Sequence, residues 1–162
     1  MLSLEHLSLL SALMHTSLST AIRESTWAVM AMEAIHLIGL TFLGGPAIVV
    51  GLGALHPGGL RGLSVSTLIA ALLPVLRIGL VLMAVSGTLI AVSMPFKYYG
   101  NTAFRCKMLL LILALATTAG LARVSRVESL ASRRLALQRG LALAALVLWF
   151  GVGFSGRLIG FL

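Results

Sequence analysis

The residues of this chain best suited to chemistry are Glu33 and His36, which lie one helical turn apart within an apolar run. The run covers residues 27–53 and contains no other ionisable side chain. A Glu or His placed in hydrocarbon costs from ~2.5 to more than ~10 kcal/mol, so such a residue usually has a function or a partner. At positions i and i+3 the two side chains share a helix face, which we expect to point into a helical bundle.

A neutral imidazole inside an apolar bundle is a good axial ligand for haem iron. We therefore expect His36 to be the metal ligand of one b-type haem, with Glu33 close enough to tune the site. Lys107, Arg157 and Arg77 place positive charge within or beside other apolar runs. Because Lys and Arg pair with carboxylates, these three are candidates to bind haem propionates or Glu33.

Other uses of the same residues stay open. Glu33 and His36 together could relay protons through a membrane. His36 with Met30, Met32 or Met94 could bind copper, since thioether and imidazole suit Cu(I). Both uses would make the chain a transport or assembly protein without haem. In a third interpretation the polar groups only fix the packing of helices.

Composition places the chain in a membrane. Its 162 residues are 59% hydrophobic and 10% charged, whereas a soluble domain has about 25% charged residues. The net charge of +8 would suggest nucleic acid in a soluble protein. Here the arginines lie in short gaps between apolar runs, which indicates membrane topology and anionic lipid headgroups instead. We expect the lipid bilayer, and no nucleic acid, as a partner. The single cysteine, Cys106, excludes an internal disulfide.

Four segments are long enough to cross a bilayer, which takes about 20 apolar residues. They are residues 27–53, 68–94, 106–122 and 140–161. The third is the shortest. The short gaps favour antiparallel neighbours, so we predict an all-α, integral membrane four-helix bundle. Residues 1–26 are too polar to span and are expected to form a short interfacial helix. The whole chain, 1–162, is predicted to be one transmembrane domain.

The basic residues are distributed unequally between the two sides of this bundle. One side has Arg61, Arg123, Arg126, Arg133, Arg134 and Arg139, and the other has Arg23, Lys97, Arg105 and Lys107. The positive-inside rule places the first set in the cytoplasm and both termini outside.

This topology also predicts the depth of the candidate site. His36 lies about 13 Å below the start of the first span, at 1.5 Å per residue. Glu33, His36, Lys107 and Arg157 are all expected in the outer half, where they could face a common cavity. Arg77 lies toward the inner side of the second span.

Several passages together resemble an uncharacterised family of small bacterial four-helix membrane proteins. They are Ile22-Arg23-Glu24-Ser25, His36-Leu-Ile-Gly-Leu40, Pro74 with Arg77, Ser86-Gly87, Asn101-x-x-Phe104-x-x-Lys107, Leu148-Trp149-Phe150-Gly151 and Gly156-Arg157. The resemblance covers nearly the whole chain. More remotely, the layout is similar to the four-helix, haem-binding protoporphyrinogen oxidase family and to the copper-resistance protein D-like family.

These resemblances imply a fold and a site. The haem-binding family has a His in the first span and a Lys at the start of the third, so His36 would be the haem ligand and Lys107 its associated basic group. Membership of a bacterial family would imply the inner membrane, and the positive-inside orientation given above would make both termini periplasmic. Electron transfer would require a redox partner protein or a second subunit.

Overall fold

The computed structural model describes residues 8, 11–12, 14–56, 59–126 and 132–159. Within these residues the chain forms helices, and its one β-type pairing is an isolated bridge between Leu60 and Leu63. The helices in chain order are α1, Ser17–Glu24; α2, Thr26–Leu55; α3, Val65–Ser93; α4, Pro95–Tyr99; α5, Thr102–Ser125; and α6, Ser132–Leu158.

Four helices, α2, α3, α5 and α6, are long and apolar enough to cross a membrane. The prediction of an all-α, four-helix, multi-pass membrane protein is thereby confirmed. The third of them, α5, is the shortest at 24 residues, as predicted. The 30 residues of α2 extend over about 45 Å, more than the ~30 Å of a bilayer core. The ends of α2 therefore have length to spare for the headgroup regions.

All four long helices begin earlier in the chain than the hydropathy pattern predicted, and the difference is largest for α5 and α6. The fourth span was expected from residue 140, but α6 begins at Ser132, because Arg, Leu, Ala and Gln continue a helix well outside an apolar run. The third was expected from residue 106, but α5 begins at Thr102. There the side chain of Asn101 accepts hydrogen bonds from the backbone N–H groups of Ala103 and Phe104, at 2.9 and 3.2 Å.

Glycines allow α2 and α3 to pack with their backbones almost in contact. A Cβ atom at Gly79 would lie 2.5 Å from the backbone nitrogen of Leu43, and one at Gly39 would lie 2.8 Å from that of Met83. The partners run in opposite directions along the two helices, so the pair is antiparallel. Only glycine permits this approach, as in many membrane helix pairs.

The other long helices pack in the same antiparallel manner, but not on every side. Gly151 of α6 packs against Leu110 of α5, and Gly44 of α2 packs against the indole ring of Trp149 of α6. The extensive pairings are therefore α3–α2, α2–α6 and α6–α5. By contrast, α3 and α5 make few contacts with each other, and we call the boundary between them the α3–α5 seam.

The centre of the bundle is filled by apolar side chains around Trp149. Its neighbours in this cluster include the buried Leu43, Met83 and Val152. The indole N–H of Trp149 donates a hydrogen bond to the hydroxyl of Thr118 at 3.1 Å, which satisfies its one polar atom. A second buried cluster, formed by Val50, Ala54, Val65, Leu68, Leu121 and Ala142, fills the end near the α2–α3 turn.

The short helix α1 is attached to the opposite end of the bundle, where α3 ends. The buried hydroxyl of Ser19 donates a hydrogen bond of 2.7 Å to the carbonyl oxygen of Val92. That carbonyl lies in the last turn of α3, where helix carbonyls lack partners within the helix. Ile22 is also buried. The segment 1–26 thus contains the expected short helix, although part of it lies outside the described residues.

Candidate functional site

The imidazole of His36 is half-buried between α2 and α3, and both of its nitrogens form hydrogen bonds. Nδ1 lies 3.0 Å from the hydroxyl oxygen of Ser86 on α3. The Ser86 hydroxyl itself donates to the carbonyl of Leu82, so its oxygen accepts a hydrogen bond from the N–H at Nδ1. This network assigns a neutral imidazole with its proton on Nδ1 and a lone pair on Nε2.

The lone pair of His36 points at Lys107. The Nζ atom of Lys107 lies 3.1 Å from Nε2 and donates a hydrogen bond to it. Lys107 belongs to the second turn of α5, and its side chain is only 8% exposed. Three helices are thus joined by one chain of polar contacts, from Lys107 through His36 to Ser86.

Glycines lie against both the imidazole ring and the side chain of Lys107. A Cβ atom at Gly87 of α3 would lie 2.9 Å from Cε1 of His36, so a side chain at this position would displace the imidazole. A Cβ atom at Gly156 of α6 would lie 3.5 Å from Nζ of Lys107, an ordinary contact distance. All four long helices therefore converge on the His36–Lys107 pair.

Glu33 does not join this pair. Its side chain is exposed, and the hydrogen-bond acceptor of Lys107 within the described residues is His36. Glu33 instead influences Tyr98 of α4, whose ring packs edge-on against Phe104 at a centroid distance of 5.4 Å. Burial raises the pKa of the Tyr98 phenol above its ordinary value, and the negative charge of Glu33 raises this pKa further.

The two candidate arginines also lie apart from the pair. The side chain of Arg157 is exposed, although it directly follows Gly156. Arg77 is exposed on α3, two residues before Gly79, which packs against Leu43 well below His36. Of the five residues expected to bind a cofactor, the structure brings together His36 and Lys107 and leaves Glu33, Arg77 and Arg157 on the surface. The expectation that Glu33, His36, Lys107 and Arg157 face a common cavity stays a prediction.

Two contributors to the site had no predicted role. Ser86 orients the imidazole, and Gly156 provides the surface beside Lys107. A hydroxyl followed by glycine, Ser86-Gly87, within an apolar run was a signal in the sequence. The partner of the Ser86 hydroxyl depends on which residue of α2 faces it. The spacing of residues along α3 does not show which residue that is.

The geometry favours ligation over nucleophilic catalysis. Ser86 and His36 are within hydrogen-bonding distance, but a general base must become imidazolium while it takes the serine proton. In the tautomer assigned above, the Nδ1 atom that faces Ser86 already carries a proton, so it cannot take the serine proton. A neutral imidazole with an oriented lone pair is, however, the form that binds metal ions. In the part of the chain that the structure describes, no group of three or more His, Cys, Asp and Glu side chains is arranged around a common point.

Comparison with known proteins identifies a family whose function is unknown. Neither a curated protein nor a solved structure has significant similarity to this chain. One family model matches residues 14–162, which include all four long helices and both members of the His36–Lys107 pair. The chain therefore belongs to DUF6644, a family of unknown function.

Proposed function

We propose that this membrane protein binds one b-type haem through Nε2 of His36 and acts in electron transfer, as a redox subunit beside a partner protein. The observation that supports this proposal is the hydrogen bond between Nδ1 of His36 and Ser86, which assigns the ring proton to Nδ1 and the lone pair to Nε2. Histidines that bind metals almost always donate their other N–H group to a fixed acceptor. When bound, a haem would supply reversible one-electron chemistry at its iron.

The residues present fit such a group. His36 comes from the helix that pairs with both α3 and α6, so its position is held from two sides. Ser86 would keep the ring orientation, and Gly87 leaves space for the ring edge. Lys107 occupies the lone pair that the iron would need, so this side chain has to turn away from Nε2 on binding.

Proton transfer is the second candidate, because the polar contacts form an uninterrupted chain. The sequence Lys107 Nζ, His36 Nε2, His36 Nδ1 and Ser86 Oγ offers successive proton-exchanging atoms between three helices. In the structure this series of hydrogen bonds ends at the carbonyl of Leu82, which cannot pass a proton on. Copper transport stays open for the same imidazole, together with methionine sulfur.

The test is an optical spectrum of the protein purified in mild detergent and titrated with haem, first oxidised and then reduced with dithionite. We expect a Soret band that shifts on reduction and is absent from His36→Ala. His15→Ala, a change at an exposed histidine outside the long helices, should retain the band. Ser86→Ala should weaken haem binding about 10- to 100-fold, the usual effect of removing a hydrogen-bond partner of a metal ligand.

Other outcomes would assign the site differently. A colourless protein that binds copper stoichiometrically would replace haem by the transport alternative. A protein without chromophore or metal, in which His36→Ala lowers only thermal stability, would reduce the pair to a packing contact. Haem binding that is equal in wild type and His36→Ala would disprove the assignment of His36 as ligand.

A further inference from the structure

Arg77 is a charged residue near the middle of a membrane-spanning helix. It lies about 18 Å from the first residue of α3, Val65, and about 24 Å from the last, Ser93, at 1.5 Å per residue. The whole helix is about 43 Å long and a bilayer core is ~30 Å thick, so Arg77 lies about 11 Å inside the core when α3 is centred in it. A guanidinium group cannot be deprotonated in proteins, so it keeps its charge at this depth.

The side chain of Arg77 points away from the rest of the bundle. Arg77 and Gly79 differ by about 200° around the axis of α3, and Gly79 packs against the backbone of α2. Arg77 is accordingly exposed, and among the residues described no group forms a hydrogen bond or an ion pair with it. A charge inside a membrane is normally paired. The partner of Arg77 is therefore expected from another molecule.

The residues in line with Arg77 form one continuous face of α3. They follow each other at alternating intervals of four and three, and all are exposed: Ala70, Pro74, Arg77, Val81, Ala84 and Thr88. We call this surface the Arg77 face. Intervals of four and three keep residues on one side of a helix, and they are the intervals at which two helices pack along their length. The Arg77 face thus has the pattern of a helix-packing surface, with a charge at its centre.

Pro74 adds a polar backbone group to this face. It lies within α3 and has no N–H group to donate to the carbonyl of Ala70, one turn earlier. A polar group without its usual partner is costly in hydrocarbon. The acyl chains of lipids provide neither a donor for this carbonyl nor an anion for Arg77. Polar side chains of a neighbouring helix can provide both, which favours a protein as the occupant of the Arg77 face.

A second copy of this chain does not bring a described carboxylate to Arg77. His36 is level with Gly87, so Glu33 lies about 5 Å from that level toward the α1 end, and Arg77 about 15 Å toward the α2–α3 turn. Copies inserted in the same orientation hold their residues at equal depths, which leaves about 20 Å between the levels of Glu33 and Arg77. Glu24, the other acidic residue that the structure describes, belongs to α1. Two Arg77 faces in contact would also bring like charges together.

We propose that the Arg77 face binds a membrane-spanning helix of another protein, and that this helix carries a carboxylate at the depth of Arg77. A carboxylate complements the charge of a guanidinium and can accept two parallel hydrogen bonds from it. The identification of this other protein as the redox partner rests on the proposed function. The docking surface itself involves neither haem nor the His36–Lys107 pair, whose level is about 15 Å away along the bundle.

The experiment uses synthetic single-span helices in vesicles of phosphatidylcholine. Each is a leucine–alanine host of about 22 residues with one position changed at the depth of Arg77, to Glu or to its uncharged analogue Gln. A third peptide has Glu seven residues nearer the α1 end, a shift of about 10 Å. The full chain carries an acceptor dye on Cys106, its single and exposed cysteine, and the peptides carry the donor. We expect energy transfer to show about tenfold or tighter binding of the matched Glu peptide than of the other two, as for a charge-assisted hydrogen bond.

Variants assign this preference to Arg77. Arg77→Gln should abolish the preference for the matched Glu peptide, and Arg77→Lys should retain part of it. Arg157→Gln, at an exposed arginine in the last turn of α6, is the matched control and should leave the preference unchanged. Ala84→Phe should weaken binding by adding bulk to the Arg77 face, whereas Ala116→Phe, at an exposed alanine of α5, should not.

Several outcomes would overturn the docking site. They are equal binding of the Glu and Gln peptides, a preference that does not depend on depth, and a preference that persists in Arg77→Gln. Association between two labelled copies that depends on Arg77 would make a second copy the occupant. An Arg77-dependent preference for phosphatidylglycerol, without one for the Glu peptide, would make a headgroup phosphate the occupant.

The peptide titrations contain no haem, so the two proposals fail separately. A Glu preference that depends on Arg77, in a protein without a His36-dependent haem spectrum, would leave the docking surface and remove the haem. A His36-dependent spectrum in a protein that does not prefer the Glu peptide would leave the haem and remove the docking surface.

Discussion

Three side chains from three helices share two hydrogen bonds inside this bundle: Ser86, His36 and Lys107. Each is polar in a part of the protein where water is scarce, so each depends on the others to avoid the cost of an unsatisfied group. Ser86 orients the imidazole, and the imidazole orients Lys107. All hydrogen bonds run in one direction: Lys107 donates to His36, His36 donates to Ser86, and Ser86 donates to the carbonyl of Leu82.

The phenol of Tyr98 provides a test of where Glu33 lies. Its pKa is raised by burial and by the charge of Glu33, and so lies above the usual value of about 10. The native state then holds the phenolic proton more tightly than the unfolded chain does. The free energy of unfolding should therefore fall as pH rises from about 10 through the native pKa.

Glu33→Gln removes the charge and should lower the pKa of Tyr98, while burial keeps it above that of a free phenol. The measurement is an ultraviolet titration of phenolate in a Tyr99→Phe background, which leaves Tyr98 as the one tyrosine of the chain. Arg77→Gln, a charge change on α3, is the control and should not alter the midpoint. An unchanged or higher midpoint in Glu33→Gln would contradict the placement of Glu33 near Tyr98.

At the scale of elements, the pairing of α2 with α3 determines what His36 faces. The backbones meet at Gly39 and Gly79, and from there the antiparallel register brings Gly87 to the imidazole ring. A change in register of one residue would turn Ser86 away from Nδ1. Gly39 and Gly79, where the two helices cross, therefore determine the position of His36 relative to Ser86.

Gly79→Val tests this pairing. A Cβ atom there would lie 2.5 Å from the backbone nitrogen of Leu43, and backbone cannot give way as a flexible side chain can. We expect a loss of at least about 1–3 kcal/mol, the typical cost of overpacking, seen as a lower thermal midpoint in detergent. Gly153→Val, at a glycine with no atom within 4 Å of an added Cβ, should leave the midpoint nearly unchanged. Equal effects of the two substitutions would contradict the close crossing.

At the scale of the whole molecule, the arginines are concentrated at one end of the bundle. Arg123 and Arg126 close α5, Arg133, Arg134 and Arg139 begin α6, and Arg61 lies in the α2–α3 turn. Antiparallel helices place all of these at the same side of a membrane. The His36–Lys107 pair lies toward the opposite end, near α1 and α4. The orientation of the bundle stays a prediction from the positive-inside rule.

Single cysteines can determine this orientation. In a Cys106→Ser background, Leu63→Cys reports on the α2–α3 turn and Gly100→Cys on the α4–α5 turn, and both positions are exposed. A thiol reagent that cannot cross membranes, added to spheroplasts, should label Gly100→Cys and not Leu63→Cys. After lysis both should be labelled. The reverse pattern in intact spheroplasts would place the arginines outside and disprove the predicted topology.

Much of the fold was accessible from the sequence, whereas little of the site was. Runs such as 27–53 indicate a span because the free energy of transfer to lipid is summed over neighbouring residues. Glu33 and His36 are also neighbours in the chain, but positions i and i+3 differ by about 60° around a helix axis. That difference is enough for one side chain to face α3 and the other to remain exposed.

Composition and hydropathy alone indicate a membrane protein with four candidate spans, and they identify His36 and Lys107 as candidates for chemistry. Tertiary structure alone decided that these two meet each other, that Ser86 selects the tautomer of the ring, and that Glu33, Arg77 and Arg157 stay apart from them. The reason is that hydropathy is a local property of the chain. The contacts of a polar side chain depend on the rotation and pairing of helices whose residues are far apart in sequence.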